Sequence, residues 1–211
     1  MTLLYKEMRL VAHPTSIVFA FLGCLCSGAI LSLQCNFYVW LFSTLHHFFF
    51  LNARETNDVW YTAVLPVTKR ESVLGKCLLV VFFQLFQLLF SIPFALLRNT
   101  MNIANNPVGL DATVAWYGFG FILYAVFDLV FLTAFYKSGY KVGKSFILAA
   151  IPMVFLMVAI EATSYIPALV WMDSYQPEHL LIQLPILIVG IVCYGVFVPL
   201  AYRISAKRFE S

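Results

Sequence analysis

Six long apolar stretches alternate with short polar breaks along the chain, at residues 14–33, 37–52, 74–97, 113–135, 145–165 and 180–202. Each approaches the roughly 20 apolar residues that a helix needs to cross a bilayer, so the pattern predicts six membrane-spanning helices. The second is short at its apolar core and is expected to extend back through Cys35. A closed β-barrel would show alternating polarity over about ten residues, and the runs 77–83 and 147–160 do not alternate. The expected fold class is therefore all-α, a single transmembrane domain over 1–211. Two more helices are expected at one face of it, an amphipathic one within 1–12 and a short one at 55–64.

The first of these follows from helical geometry over residues 3–11. At 100° per residue, Lys6 and Arg9 share a face with Thr2, while Leu3, Leu4, Met8, Leu10 and Val11 cover the rest, the pattern of a helix lying flat on a membrane surface. Glu7 falls among the apolar positions. It either pairs with a basic residue of a neighbouring loop or reaches the headgroups. The second follows from the loop between spans two and three. Over 55–64, Val59, Trp60, Ala63 and Val64 take one side and Glu55, Asp58, Tyr61 and Thr62 the other. Pro66 then biases Leu65 away from helix, and Thr68-Lys69-Arg70-Glu71 has the capping-box spacing that starts a new helix. A short helix held between two membrane helices by a stop and a start can act as a lever.

Composition excludes two alternatives. Only 11% of the residues are charged and 62% are hydrophobic, against about a quarter charged in a soluble domain. Disordered chains are poor in aromatics, and Phe alone occurs 21 times here. The spans leave no length for a second folded domain, so the energy for any work must come from a gradient or from another polypeptide.

Charge sets the orientation. Lys6, Arg9, Arg54, Lys69, Arg70, Lys76, Lys137, Lys141, Lys144, Arg203, Lys207 and Arg208 fall on one side of the spans, and Arg98 alone on the other. The positive-inside rule places both termini in the cytoplasm. The net charge of +3 thus reports topology and gives no support to a nucleic-acid partner. A secretory signal would also begin with Lys6 and Arg9 ahead of an apolar run. The run is nearer to spanning length, and Phe21-Leu22-Gly23-Cys24 lacks the small aliphatic start of a lipoprotein box, so a retained first helix is expected. Five cysteines, mostly within spans, form neither a disulfide framework nor a zinc spacing.

The run Arg54-Glu55-Thr56-Asn57-Asp58-Val59-Trp60, then Leu65-Pro66-Val67-Thr68-Lys69-Arg70-Glu71-Ser72-Val73 and Gly75-Lys76, resembles the cytoplasmic loop of small ABC-2 type permeases. Lys6-Glu7 and Tyr136-Lys137-Ser138-Gly139-Tyr140-Lys141 are similar to further family positions. Within the family the chain looks most like the short permeases of bacterial peptide exporters, including those for phenol-soluble modulins and for bacteriocins or lantibiotics. The resemblance implies a permease in the bacterial inner (plasma) membrane, paired with a second copy or close homologue. It also implies two cytosolic ATPase subunits that carry ATP and Mg, with no cofactor in this chain and no enzymatic activity of its own. By motif position, Glu55, Asp58, Trp60 and Tyr61 would meet the ATPase, flanked by Lys6 and Glu7. For Trp60 and Tyr61 the alternative is aromatic anchoring at the membrane interface.

Gly139-Tyr140-Lys141-Val142-Gly143-Lys144-Ser145 ends like a P-loop, but three residues separate its glycines where a phosphate cradle needs four. It reads as a flexible cytosolic turn. Within the spans, Asp128 lies about seven residues from the inner end of span four, roughly 10 Å deep. A carboxylate there should face protein or a wet cavity. Either it lines a cavity for cationic substrate groups, or it pairs with Gln84 or Gln87 of span three. Glu161, near the outer end of span five, is expected to be solvated, with an outer-gate role beside Arg98 as the alternative. The substrate-pathway candidates are thus Asp128, Gln84, Gln87 and Glu161, and no metal site is expected.

His46 and His47 point about 100° apart on a helix and suit interface packing. Residues 166–172, apolar but too short to cross, are expected to dip into the outer leaflet before Asp173 returns the chain to water, and short outer segments between the last two spans also occur in ABC-2 permeases. Gly23 with Ser27 and Cys24 with Gly28, each four apart, suit close helix contact. The function expected is export of amphipathic peptides or hydrophobic antimicrobials by way of the inner leaflet. The alternative is an ATP-independent secondary transporter or a membrane immunity protein that uses Asp128 as its intramembrane polar site.

Overall fold

The computed structural model of the chain describes residues 68–100, 110–138 and 141–210. Among these residues every regular element is helical: α1 (Lys69–Thr100), α2 (Val114–Lys137), α3 (Val142–Ala162), two 3-10 helices at Thr163–Tyr165 and Pro167–Asp173, and α4 (Pro177–Glu210). Four stretches are long and apolar enough to cross a bilayer, Lys69–Pro93, Val114–Lys137, Val142–Tyr165 and Pro177–Phe209. They are the last four of the six expected spans. The interfacial helix within 1–12, the spans at 14–33 and 37–52 and the short helix at 55–64 lie outside the described residues. So do Lys6, Glu7, Glu55, Asp58, Trp60 and Tyr61, the histidines 46 and 47, and the small-residue pairs of span one.

Local chemistry accounts for where the helices start. Before α1, the Thr68 amide donates to Glu71 Oε2 at 2.7 Å and the Glu71 amide donates to Thr68 Oγ1 at 3.3 Å, the reciprocal capping box that the spacing predicts. The box starts α1 at Lys69, five residues ahead of the apolar run. Thr68→Ala removes the acceptor for the Glu71 amide and should cost about 1 kcal/mol, read as a lower thermal midpoint of the purified chain in detergent. Thr68→Ser should stay at the parental value. An unchanged midpoint in the alanine variant would mean that membrane packing alone fixes the start of α1.

Thr113 caps α2 by accepting from the Trp116 amide. Helix α3 begins at Val142, earlier than the apolar pattern suggests, and the Ser145 hydroxyl donates to the Lys141 carbonyl at 3.0 Å. Gly143 and Lys144 therefore sit in its first turn, a correction to the flexible turn expected there. Helix α4 has 34 residues, about 50 Å at 1.5 Å per residue. That exceeds a hydrocarbon core of roughly 30 Å, so the basic tail continues the same rod out of the membrane.

Helix α2 is the centre of the described bundle and packs most extensively on α4 and next on α3. Its Phe127, Phe131 and Phe135 rings stack in succession at centroid distances of 5.3 and 6.0 Å. Gly118 of α2 meets Gly190 of α4 backbone to backbone. A Cβ on Gly118 would lie 2.7 Å from the Ile186 carbonyl, and one on Gly190 would overlap the Gly118 carbonyl. Small residues that let backbones touch are what membrane helices use where burial against lipid gains little. Outward, α3 presents Ile147, Ile151, Phe155 and Val158 as one exposed apolar stripe.

One end of the bundle gathers the basic residues. The Lys69 ammonium sits 5.5 Å from the centre of the Phe209 ring, Arg208 donates to the Thr133 carbonyl at 2.7 Å, and the Ser138 and Ser145 hydroxyls are 3.1 Å apart. The start of α1, the ends of α2 and α4 and the start of α3 therefore lie together. It is the end that the charge bias assigns to the cytoplasm.

Candidate functional site

Helix α1 meets α2 chiefly through side chains, and three polar contacts bridge the two inside the membrane-spanning region. Gln84 Nε2 donates to both oxygens of Asp128, at 3.0 and 2.9 Å. The Tyr124 hydroxyl donates to Gln87 Oε1 at 3.3 Å, and the Ser91 and Tyr117 hydroxyls are 2.9 Å apart. On α1 the bridging positions are 84, 87 and 91, spaced as one helix face, and on antiparallel α2 they are 128, 124 and 117. Tyr194 of α4 joins the first rung by donating its hydroxyl to Gln84 Oε1 at 2.5 Å. Asp128 is 1% exposed, and Gln84 and Gln87 are fully buried.

Of the two readings open for Asp128, the pair with Gln84 is the one present. Gln87 bonds Tyr124 instead. Two physical reasons hold the arrangement. A buried carboxylate requires hydrogen-bond donors, and the Tyr194 hydroxyl, by bonding Gln84 Oε1, holds the amide so that its Nε2 faces both oxygens of Asp128. Tyr117, Tyr124, Ser91 and Tyr194 were not singled out as site residues. Their signal lay in the spacing of Gln84, Gln87 and Ser91, which puts three polar groups on one face of an apolar helix. Among the described residues no group of His, Cys, Asp or Glu is placed to hold a metal ion.

A second polar cluster closes the end away from the basic residues. Glu161 Oε2 accepts from the Leu110 amide at 2.8 Å and Asp173 Oδ1 accepts from the Asp111 amide at 2.6 Å. The Thr113 hydroxyl donates to the Met172 carbonyl at 2.8 Å. Gln183 of α4 accepts from the Ala115 amide at 3.2 Å and donates to the Trp171 and Ser174 carbonyls at 2.7 and 3.0 Å. Amides at and before the start of α2, which lack partners within their own helix, are thus taken up by side chains from three other elements. This corrects the solvated reading of Glu161, which is buried, because the 110–112 segment folds over it and presents an amide. Asp173, expected to return the chain to water, instead turns inward from the second 3-10 helix. The side chain of Arg98 lies outside the described residues.

Four long apolar helices, a bundle joined by hydrogen bonds buried in its interior, and cations collected at one end define a polytopic membrane protein. A family model described as ABC-2 family transporter protein matches residues 2–210. The match takes in nearly the whole sequence, and the chain belongs to the ABC-2 family of transporter proteins. Searches of curated proteins and of solved structures return no match. Permeases of this family are membrane transport components, not themselves catalytic, and generally work with ATPase subunits.

Proposed function

We propose that the chain is the permease subunit of an ATP-binding cassette exporter in a bacterial plasma membrane. It pairs with a second permease copy and is driven by two separate ATPase subunits that bind the ATP and Mg. The observation that carries this reading is the end-to-end family correspondence over 2–210. The substrates that suit it are amphipathic peptides or hydrophobic antimicrobials entering from the inner leaflet, since the helix faces are rich in Phe and Leu. Both termini lie in the cytoplasm, as the charge bias requires.

The described geometry supports a route for the force. The capping box at Thr68 begins α1 directly after the loop to which the pattern assigns the 55–64 lever, so in this scheme a pull on that loop reaches Gln84, Gln87 and Ser91 along one rod. Interhelical hydrogen bonds in a bilayer average only about 0.6 kcal/mol each. The α1–α2 seam can therefore exchange partners at modest cost as the paired halves swing from inward-open to outward-open. In this scheme Glu55, Asp58, Trp60 and Tyr61, flanked by Lys6 and Glu7, grip the ATPase. Asp128, Gln84 and Gln87 hold the moving seam, and Glu161 fastens the outer end. A proton-driven carrier centred on Asp128 is disfavoured by the amide already bonded to both its oxygens.

The double substitution Asp58→Arg with Trp60→Ala reverses charge and removes the aromatic anchor on the proposed lever. Reconstituted with its ATPases, the variant should insert normally but stimulate ATP turnover less than one-tenth as much as the parent, on the order of the loss of one interface hot spot. Parental stimulation by the variant would remove the lever from the mechanism.

A further inference from the structure

At the basic end, a cavity of about 630 Å³ opens between α2, α3 and α4. Its mouth carries Lys137 from the last turn of α2, Lys144 from the first turn of α3 and Arg208 from the tail of α4, while Leu129, Leu148 and Leu200 line its wall. Among the described residues no acidic side chain lines it. Among the described residues neither Lys137 nor Lys144 is ion-paired, and both are exposed. The exported substrate as proposed, a peptide or an apolar antimicrobial, does not call for three cations around an apolar pocket, and the positive-inside rule requires cations on this side without requiring them around a cavity.

We infer that this cavity is a binding site for an anionic phospholipid of the inner leaflet, with the phosphate at Lys137, Lys144 and Arg208 and an acyl chain along the leucine wall. Three features select that occupant. Basic pockets between spans on the cytoplasmic side suit phosphate headgroups, and the first turn of α3 adds the positive end of its dipole at the same mouth. The guanidinium of Arg208 is held by its bond to the Thr133 carbonyl, and Lys137 and Lys144 line the same cavity. The wall is continuous with surface open to the bilayer, since Leu148 is 52% and Leu200 41% exposed. A free phosphate would gain nothing from that wall, whereas a lipid fills wall and mouth together. The volume lies within the range of small-molecule sites. The site is independent of what the permease exports, and through Lys144 and Arg208 it ties α3 to α4 in the presence of anionic lipid.

The test is retention of lipid by the full-length chain, purified in neutral detergent and transferred to native mass spectrometry from an equal mixture of phosphatidylglycerol and phosphatidylcholine. The parent should keep phosphatidylglycerol preferentially. Lys137→Gln with Lys144→Gln should lower that preference by on the order of ten-fold. Lys141→Gln with Arg203→Gln, an equal loss of charge away from the cavity, should leave it unchanged. Lys137→Arg with Lys144→Arg should keep it, which separates lost charge from lost fold. Excess inorganic phosphate should leave the bound lipid in place. The proposal is overturned if the parent shows no preference, if both charge-removing pairs lower it equally, or if inorganic phosphate displaces the lipid and so marks a site for a free anion. It is equally overturned if the Lys137/Lys144 glutamine pair breaks a dimer while lipid retention is unchanged, which would make the groove a contact between copies.

Discussion

Gly190→Val is expected to leave little folded protein. The added Cβ would overlap the Gly118 carbonyl across the α2–α4 crossing, and Gly118 is itself confined by the backbone of Ile186 and Leu187, at 2.7 and 2.8 Å from a Cβ placed there. Overpacking a core costs about 1–3 kcal/mol when side chains can turn aside. Here the obstacle is main chain on both helices, so the only relief is to separate the pair that forms the largest interface of the described bundle. Against a total stability of about 5–15 kcal/mol, a loss above about 3 kcal/mol should appear as aggregated material in detergent chromatography and a thermal midpoint lowered by several degrees. Gly195→Val is the control, because a Cβ at Gly195 meets nothing within 4 Å, and it should behave as the parent. Equal behaviour of the two valine variants would contradict the close crossing.

Gln84→Leu should be the second most damaging single change, and its repair should be informative. The substitution withdraws the amide bonded to both oxygens of Asp128 and leaves the Tyr194 hydroxyl without its acceptor at Gln84. Leaving buried polar groups short of a partner costs about 1–3 kcal/mol each, and more for charged ones. That exceeds the small net worth of an intact interhelical bond, so desolvation decides the outcome. Asp128→Leu alone should also destabilise, while Gln84→Leu with Asp128→Leu, which removes both partners, should lose at least about 1 kcal/mol less than the two single losses combined. Thermal midpoints of the four chains give the coupling directly, and simple additivity would mean that the contact does not bind the helices to each other.

What could be read from residues alone divides by the kind of partner involved. The Thr68–Glu71 box is local, and its spacing is its geometry, so it was legible. Asp128 was legible as far as its need for a partner, since an aspartate in an apolar helix leaves few choices, and Gln84 stands among the few polar residues of the preceding span. Glu161 was misread because its partner is the Leu110 amide, a group that every residue carries and no side-chain pattern marks. Asp173 misled for the same reason. The Gly118–Gly190 crossing was missed because a glycine in a span looks alike whether it faces lipid or a second backbone, and only the register between helices, set by packing over their full length, tells the two apart. The cavity at Lys137, Lys144 and Arg208 was hidden within the charge bias, which counts cations without showing where they converge.

The central claim is that the membrane bundle moves substrate only when a separate ATPase drives it. The direct measurement is uptake of a fluorescent amphipathic peptide into inside-out proteoliposomes that hold the chain with or without its partner ATPases, with and without ATP. The account predicts uptake only when the ATPases and ATP are both present, and none above protein-free vesicles for the chain alone. Uptake by the chain alone at the rate of the full complex, driven by a proton gradient or by none, would contradict it.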